Sequence, residues 1–219
     1  MSDLVLNQEQ SDTRQDTDLV VCEWEKNWKS QPVSAYINTV KSILSAPLSY
    51  FDNLKPFEDY VALVVFIAIN SFIGGDASFG FQFMMDTLSH RQSDYGMPLF
   101  SFVFIFFITA FSIPMYFLFG AIMHVCFRYI GGSEKNYAST MTVYGLSTAI
   151  QVFTIFPVLG LFVAAVYGFI IQIGGQARMH KISGCRSAFA FFFPIITIYA
   201  LILIFVLGIF VLVMTLKRM

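Results

Sequence analysis

The sequence predicts an all-α polytopic membrane protein: a bundle of five membrane-crossing helices preceded by an amphipathic helix. Two observations carry this. The 219 residues are 57% hydrophobic and only 12% charged, whereas soluble domains average about 25% charged and 45–50% apolar. The charge is also unevenly spread. Residues 1–59 hold 10 acids and 5 bases, and residues 60–219 hold 4 acids and 8 bases. An acidic polar piece therefore precedes a body nearly free of charge. With no basic face to neutralise phosphates, nucleic-acid binding is excluded as a function class.

Residues 1–31 read as a disordered acidic cytoplasmic tail rich in Ser, Asp, Gln and Thr. The first 18 residues lack an apolar h-region and do not read as a signal peptide. Trp24 and Trp28 stand four apart among Glu23, Glu25 and Lys26. They suit a docking motif, an interfacial anchor or a half-ordered turn. Over residues 32–56, Tyr36, Val40, Ile43, Leu44, Leu48 and Phe51 recur at helical spacing, and Pro47 should end the helix near Ala46. Such a helix before a membrane span lies on the bilayer or binds a partner.

The membrane domain covers residues 57–219. A span needs about 20 apolar residues. The expected spans are residues 57–75, 98–127, 137–156, 158–177 and 188–216. Pro114 should kink the second. The charge-free stretch from Asn136 to Ala177 would be about 63 Å long as one helix, twice the hydrocarbon thickness, so a hairpin is placed at Pro157. With Tyr144 and Gln172 about equally far from that turn, the two should sit level, as should Thr148 and Tyr167. Phe79–Met85, in the loop from Asp76 to Gly96, should lie at the interface. Basic residues favour a cytoplasmic N-terminus: Arg128, Lys135, Arg178, Lys181, Arg186, Lys41 and Lys55 fall on its side, against Arg91, Lys217 and Arg218 opposite.

From Tyr95 to the end the chain holds one carboxylate, Glu134. Intramembrane acids serve proton coupling, aspartyl proteolysis and metal-assisted transfer, so the sequence predicts no enzyme, no catalytic residue and no cofactor. His124, Cys126, His180 and Cys185 share one predicted side. His124 and Cys126 stand two apart on a helix and face different ways, so packing, rather than a metal site, is expected of the four.

Gly160, Ala164, Gly168 and Gln172 form a small-residue stripe on the fourth span. Thr140, Tyr144, Ser147, Thr148 and Gln151 form a polar stripe on the third, suited to interhelical hydrogen bonds or to a solute path. Arg128, Lys135, Arg178, His180, Lys181 and Arg186, with Trp24 and Trp28, make the candidate face for anionic headgroups or a partner; the basic loops also suit mere topology signals.

Two stretches carry a resemblance. One is Gly120–Gly132 (GAIMHVCFRYIGG), followed by Tyr137–Pro157. The other is Gly174–Pro194 (GGQARMHKISGCRSAFAFFFP). Together they resemble the Yip domain family, Ypt/Rab-GTPase-interacting multi-pass membrane proteins, over roughly residues 35–215. The resemblance implies five spans, a cytoplasmic N-terminus and a short C-terminus. Eukaryotic members cycle between endoplasmic reticulum and Golgi and bind prenylated GTPases. Where they carry a DLYGP-like motif, Asn53–Tyr60 (NLKPFEDY) stands here, which is more like the prokaryotic members. The expected location is the cell (inner) membrane if prokaryotic and the endoplasmic reticulum or Golgi if eukaryotic. The expected function is non-enzymatic: organising membrane or binding a protein partner through the cytoplasmic side. The alternative is a channel or transporter for a small neutral solute or lipid.

Overall fold

The structure is a computed structural model, and it describes residues 19–88, 97–156 and 158–216. Every named element among them is helical. They are α1 (Glu23–Asn27), α2 (Pro32–Ser45), a 3-10 turn (Ser49–Phe51), α3 (Tyr60–Leu88), α4 (Met97–Tyr129), α5 (Tyr137–Leu146), a 3-10 helix (Ser147–Ile155), α6 (Leu159–Phe169), a π segment (Ile170–Gly175), α7 (Gln176–His180) and α8 (Gly184–Leu216).

Three helices among the described residues are long and apolar enough to cross a membrane: Thr109–Tyr129, Leu159–His180 and Gly184–Phe210. Tyr60–Gly74 is a shorter apolar stretch. In α8 only 6% of the apolar window is buried in the protein. Leu201 through Phe210 point apolar side chains outward all round. Such a surface is at home in hydrocarbon, where a helix satisfies its own backbone polar groups.

The N-terminal region departs from the expected tail. Residues 1–18 lie outside the described residues, but from Cys22 the chain is built into the core. Val20 bridges to residues 53–55 by two backbone hydrogen bonds, Val20 N–H to Asn53 O (2.7 Å) and Lys55 N–H to Val20 O (2.9 Å). The Trp24 indole donates to Ala62 O at 2.6 Å, and its ring packs against Trp28, Tyr36 and Phe66 at 5.7–6.2 Å between centroids. Trp24 is buried, and Trp28 donates to Asp59 at 3.2 Å. Trp24 and Trp28 are therefore an internal anchor rather than part of an outward-facing patch. The polarity of residues 1–18 hid this, because two indoles suffice to offset the ordering cost of one short turn. Burial also pushes the Cys22 thiol above its ordinary pKa, although the Tyr50 hydroxyl donates to its sulfur.

α2 ends at Ser45, as Pro47 requires. Its Ala35, Thr39, Val40 and Ile43 are buried in the protein, and Tyr36 donates to Asn70 Oδ1 at 2.8 Å. Most of the stripe expected to meet the bilayer thus meets α1 and α3, while Val33, Ile37 and Leu48 present apolar surface outward. α3 continues to Leu88, so Phe79–Met85 lies on a helix and not in a loop. No proline interrupts the backbone there, and paired glycines weaken a helix without ending it. Residues 89–96, the rest of that loop, lie outside the described residues.

The segment expected as a third α-helical span is in two parts. After Leu146 the hydroxyls of Ser147, Thr148 and Thr154 donate to the carbonyls three residues back, at 2.6–2.7 Å. These bonds accompany a tightened helix, here nine residues of it. A 3-10 helix rises about 2.0 Å per residue against about 1.5 Å for an α-helix. The first limb is therefore about 4.5 Å longer than an α-helix would be, and its partners shift by about three residues. The contacts agree. Gln172 Nε2 donates to Ser147 Oγ at 2.5 Å, and a Cβ on Gly168 or Gly175 would meet Ile150 or Val143. Phe153 and Tyr167 pack edge to face at 6.0 Å. Each expected pair, Tyr144 with Gln172 and Thr148 with Tyr167, is thus offset by about three residues, about 4.5 Å and less than one helical turn. The turn falls where expected. Phe156 is extended, and Val158 takes φ +62°.

The small-residue stripe packs within this hairpin. Gly160, Ala164 and Gly168 are buried, and a side chain on Gly160 would run into the Phe153 carbonyl. Backbone cannot move aside as a side-chain tip can, so Gly160→Ala should cost about 1–3 kcal/mol, read as a lower unfolding midpoint in detergent. Gly184→Ala, with nothing near its position, is the matched control and should leave the midpoint nearly unchanged.

Candidate functional site

Three helices converge on one hydroxyl. His124 lies near the end of α4, Thr140 in α5 and His180 at the end of α7. Thr140 Oγ1 lies 3.0 Å from His124 Nδ1 and 3.0 Å from His180 Nε2. The other His180 nitrogen, Nδ1, meets Ser133 Oγ at 2.7 Å, and the Lys135 backbone N–H donates to the same oxygen at 3.1 Å. Gln176 Nε2 donates to Thr140 O at 3.1 Å. The Phe127 ring stacks on His180, 5.2 Å away and 15° from parallel. Thr140, Ser133 and His180 are buried. A threonine hydroxyl has one proton and two lone pairs, so it donates to at most one of the two imidazoles and accepts from the other or from both. The three segments are held as one clasp.

The sequence placed Thr140 in a polar stripe suited to interhelical hydrogen bonds, which it makes, and His180 on the outward face, but His180 is buried. Arg128, Lys135, Arg178, Lys181 and Arg186 do remain exposed, on the segments that the clasp ties together. Arg178 also pairs with Asp52 at 3.1 Å. Lys181 closes α7 in the left-handed conformation, φ +53°. Nothing in chain spacing pointed to Ser133, Phe127 and Gln176 as clasp members, since they come from separate segments.

Among the described residues no three His, Cys, Asp or Glu side chains converge as a metal site. His124 and His180 approach to 6.4 Å between rings, but His124 Nδ1 and both His180 nitrogens are engaged by hydroxyls. Cys126 is buried and Cys185 exposed.

The rest of the polar stripe faces a cavity of about 430 Å³ between the hairpin, α4 and α8. Tyr144, Ser147, Thr148, Gln151 and Gln172 line one wall. Gln151 donates to the Tyr116 hydroxyl at 3.2 Å, and the Tyr116 and Tyr144 rings meet edge to face at 5.5 Å. Part of the stripe therefore bonds within the protein and part borders open space. No protein-family model matches the chain, and neither a curated protein nor a solved structure does.

Proposed function

We propose that this chain is a non-enzymatic, Yip-like multi-pass membrane protein that organises the membrane around it through its cytoplasmic face. In this reading five segments cross the bilayer: the start of α3, α4, the two limbs of the hairpin, and α8. The N-terminal module with α1 and α2 rests on the cytoplasmic ends. The observation that carries the reading is the clasp. The Thr140, His180 and Ser133 side chains spend their hydrogen bonds on one another and on His124, which suits architecture more than catalysis; of the clasp, Gln176 Oε1 is left unpaired. It also holds Arg128, Lys135, Lys181 and Arg186 on adjoining rigid segments. Anionic headgroups are the natural partner of such a face, at about 1 kcal/mol per cation near the surface.

The test is anionic-lipid enrichment around the purified chain in mixed phosphatidylcholine–phosphatidylglycerol nanodiscs. Changing Arg128, Lys135 and Lys181 together to Gln should weaken enrichment by about a hundredfold at low salt. Unchanged enrichment with the fold intact would remove the reading.

A second reading, a channel or carrier for a small neutral solute or lipid, is favoured by the cavity beside Tyr144 and Gln151. It requires Gln151→Leu to change flux in liposomes, and an unaltered flux would count against it.

A further inference from the structure

We propose that the clasp is an acid-sensitive latch, which holds with one added proton and is released by a second. The inference rests on the geometry of His124, Thr140, His180 and Ser133, and not on what the basic face binds.

A neutral imidazole has one N–H and one bare nitrogen, and an imidazolium has two N–H groups. The clasp has three contacts: His124 Nδ1 with Thr140 Oγ1, Thr140 Oγ1 with His180 Nε2, and His180 Nδ1 with Ser133 Oγ. With both rings neutral, one proton serves each contact. Ser133 donates to His180, His180 to Thr140 and Thr140 to His124, or the order runs in reverse. A proton added to His180 keeps all three contacts. Both its nitrogens then donate, to Ser133 and to Thr140, and Thr140 still donates to His124. The Phe127 ring, stacked 5.2 Å away, is within cation–π range of that charge.

A second proton, on His124, breaks the pattern. Both rings then present N–H groups to Thr140 Oγ1, whose own proton loses both imidazole acceptors. Two cations would also stand 6.4 Å apart between ring centroids, and like charges disfavour one another most where water is scarce. The surrounding elements do not offset them. α4 adds Cys126 and, one turn beyond His124, Arg128; the loop adds Glu134 and Lys135. α7 adds Arg178, with Lys181 at its end, and α8 adds Cys185 and Arg186. α5 adds Tyr137, whose ring lies edge-on to His124 at 5.7 Å and whose hydroxyl is spent on Phe117 O. α3 meets α4 with Tyr60 at Phe117, about two turns from His124, and its carboxylates come more than about four turns later. The π segment carries no charged residue. Glu134 is exposed, and Asp52 is committed to Arg178 at 3.1 Å. Opening unties α4 and the Lys135 loop from α7, so the exposed cations lose their fixed spacing in acid.

Imidazole is the side chain that charges in this range of pH, and His124 and His180 are the histidines among the described residues. The test is backbone hydrogen exchange of the full chain in phosphatidylcholine nanodiscs from about pH 8 to about pH 4.5, corrected for the intrinsic pH dependence of exchange. Protection over residues 124–140 and 176–182 should hold at first. It should then fall about tenfold for each further pH unit, as uptake of one proton on opening requires. Residues 35–45, in the N-terminal module, should keep their protection. His124→Asn and His124→Gln each keep a hydrogen-bonding group on that helix position but take no second proton, so both should stay protected at the acid end. Protection independent of pH, a loss shared by residues 35–45, or an equal acid loss in the two variants would each overturn the proposal. None of these outcomes touches the anionic-lipid test of the basic face at neutral pH, so the two ideas fail separately.

Discussion

Trp24→Ala is expected to lower stability by about 3–5 kcal/mol, the usual cost of deleting a buried large aromatic side chain. The indole is 1% exposed, donates to Ala62 O and packs against Phe66 of α3. Removing it opens a void between α1, α2 and α3 and leaves Trp28, Tyr36 and Phe66 with a lost neighbour. Trp24→Phe keeps much of the ring volume and loses the N–H bond, so it should cost about 1–2 kcal/mol. Chemical unfolding of the purified chain in mild detergent checks both. A change within about 0.5 kcal/mol for the alanine variant would mean that the N-terminal module is not part of the core.

Thr140→Val is the second large effect. Valine matches threonine in shape but offers His124 and His180 no hydrogen bond. Each buried ring nitrogen left unsatisfied costs about 1–3 kcal/mol, and His124 is only half-buried. The expected loss is about 2–4 kcal/mol. Thr140→Ser keeps the hydroxyl and should recover most of it, which separates the hydrogen bonds from packing. A double-mutant cycle between Thr140→Val and His180→Leu should show strong coupling, since both remove the same contact. If Thr140→Val is as stable as the parent, the clasp is not a device that holds the three segments.

Much of the architecture is legible in the residues. The near absence of charge after residue 60 marks the helical membrane body. Pro47 marks the end of α2, and a 42-residue charge-free stretch demands a fold-back near Pro157. The spacing of Gly160, Ala164 and Gly168 marks a close-packed face. What escapes is whatever depends on partners distant in the chain. Trp24 and Trp28 look like surface residues because their neighbours in sequence are polar; their neighbours in space are Ala62, Phe66 and Asp59. The hairpin register escapes because helix type is not visible in hydropathy, and the hydroxyls of Ser147, Thr148 and Thr154 lengthen that limb. The clasp escapes because His124, Thr140 and His180 are each unremarkable alone. The cavity escapes because it is a shape left between helices, which no local pattern encodes.

The central claim is that the hairpin crosses the membrane and sets the clasp and basic loops on the cytoplasmic side, opposite its own turn. Thiol labelling with a membrane-impermeant maleimide tests it most directly. Cys185 is exposed while Cys22 and Cys126 are buried, so the native chain reports on the loop after α7. A Val158→Cys variant carrying Cys185→Ala reports on the turn, where Val158 is exposed. The account predicts that Cys185 labels only from the cytoplasmic face of the membrane and the cysteine at 158 only from the opposite face. Labelling of both positions from the same face would contradict it.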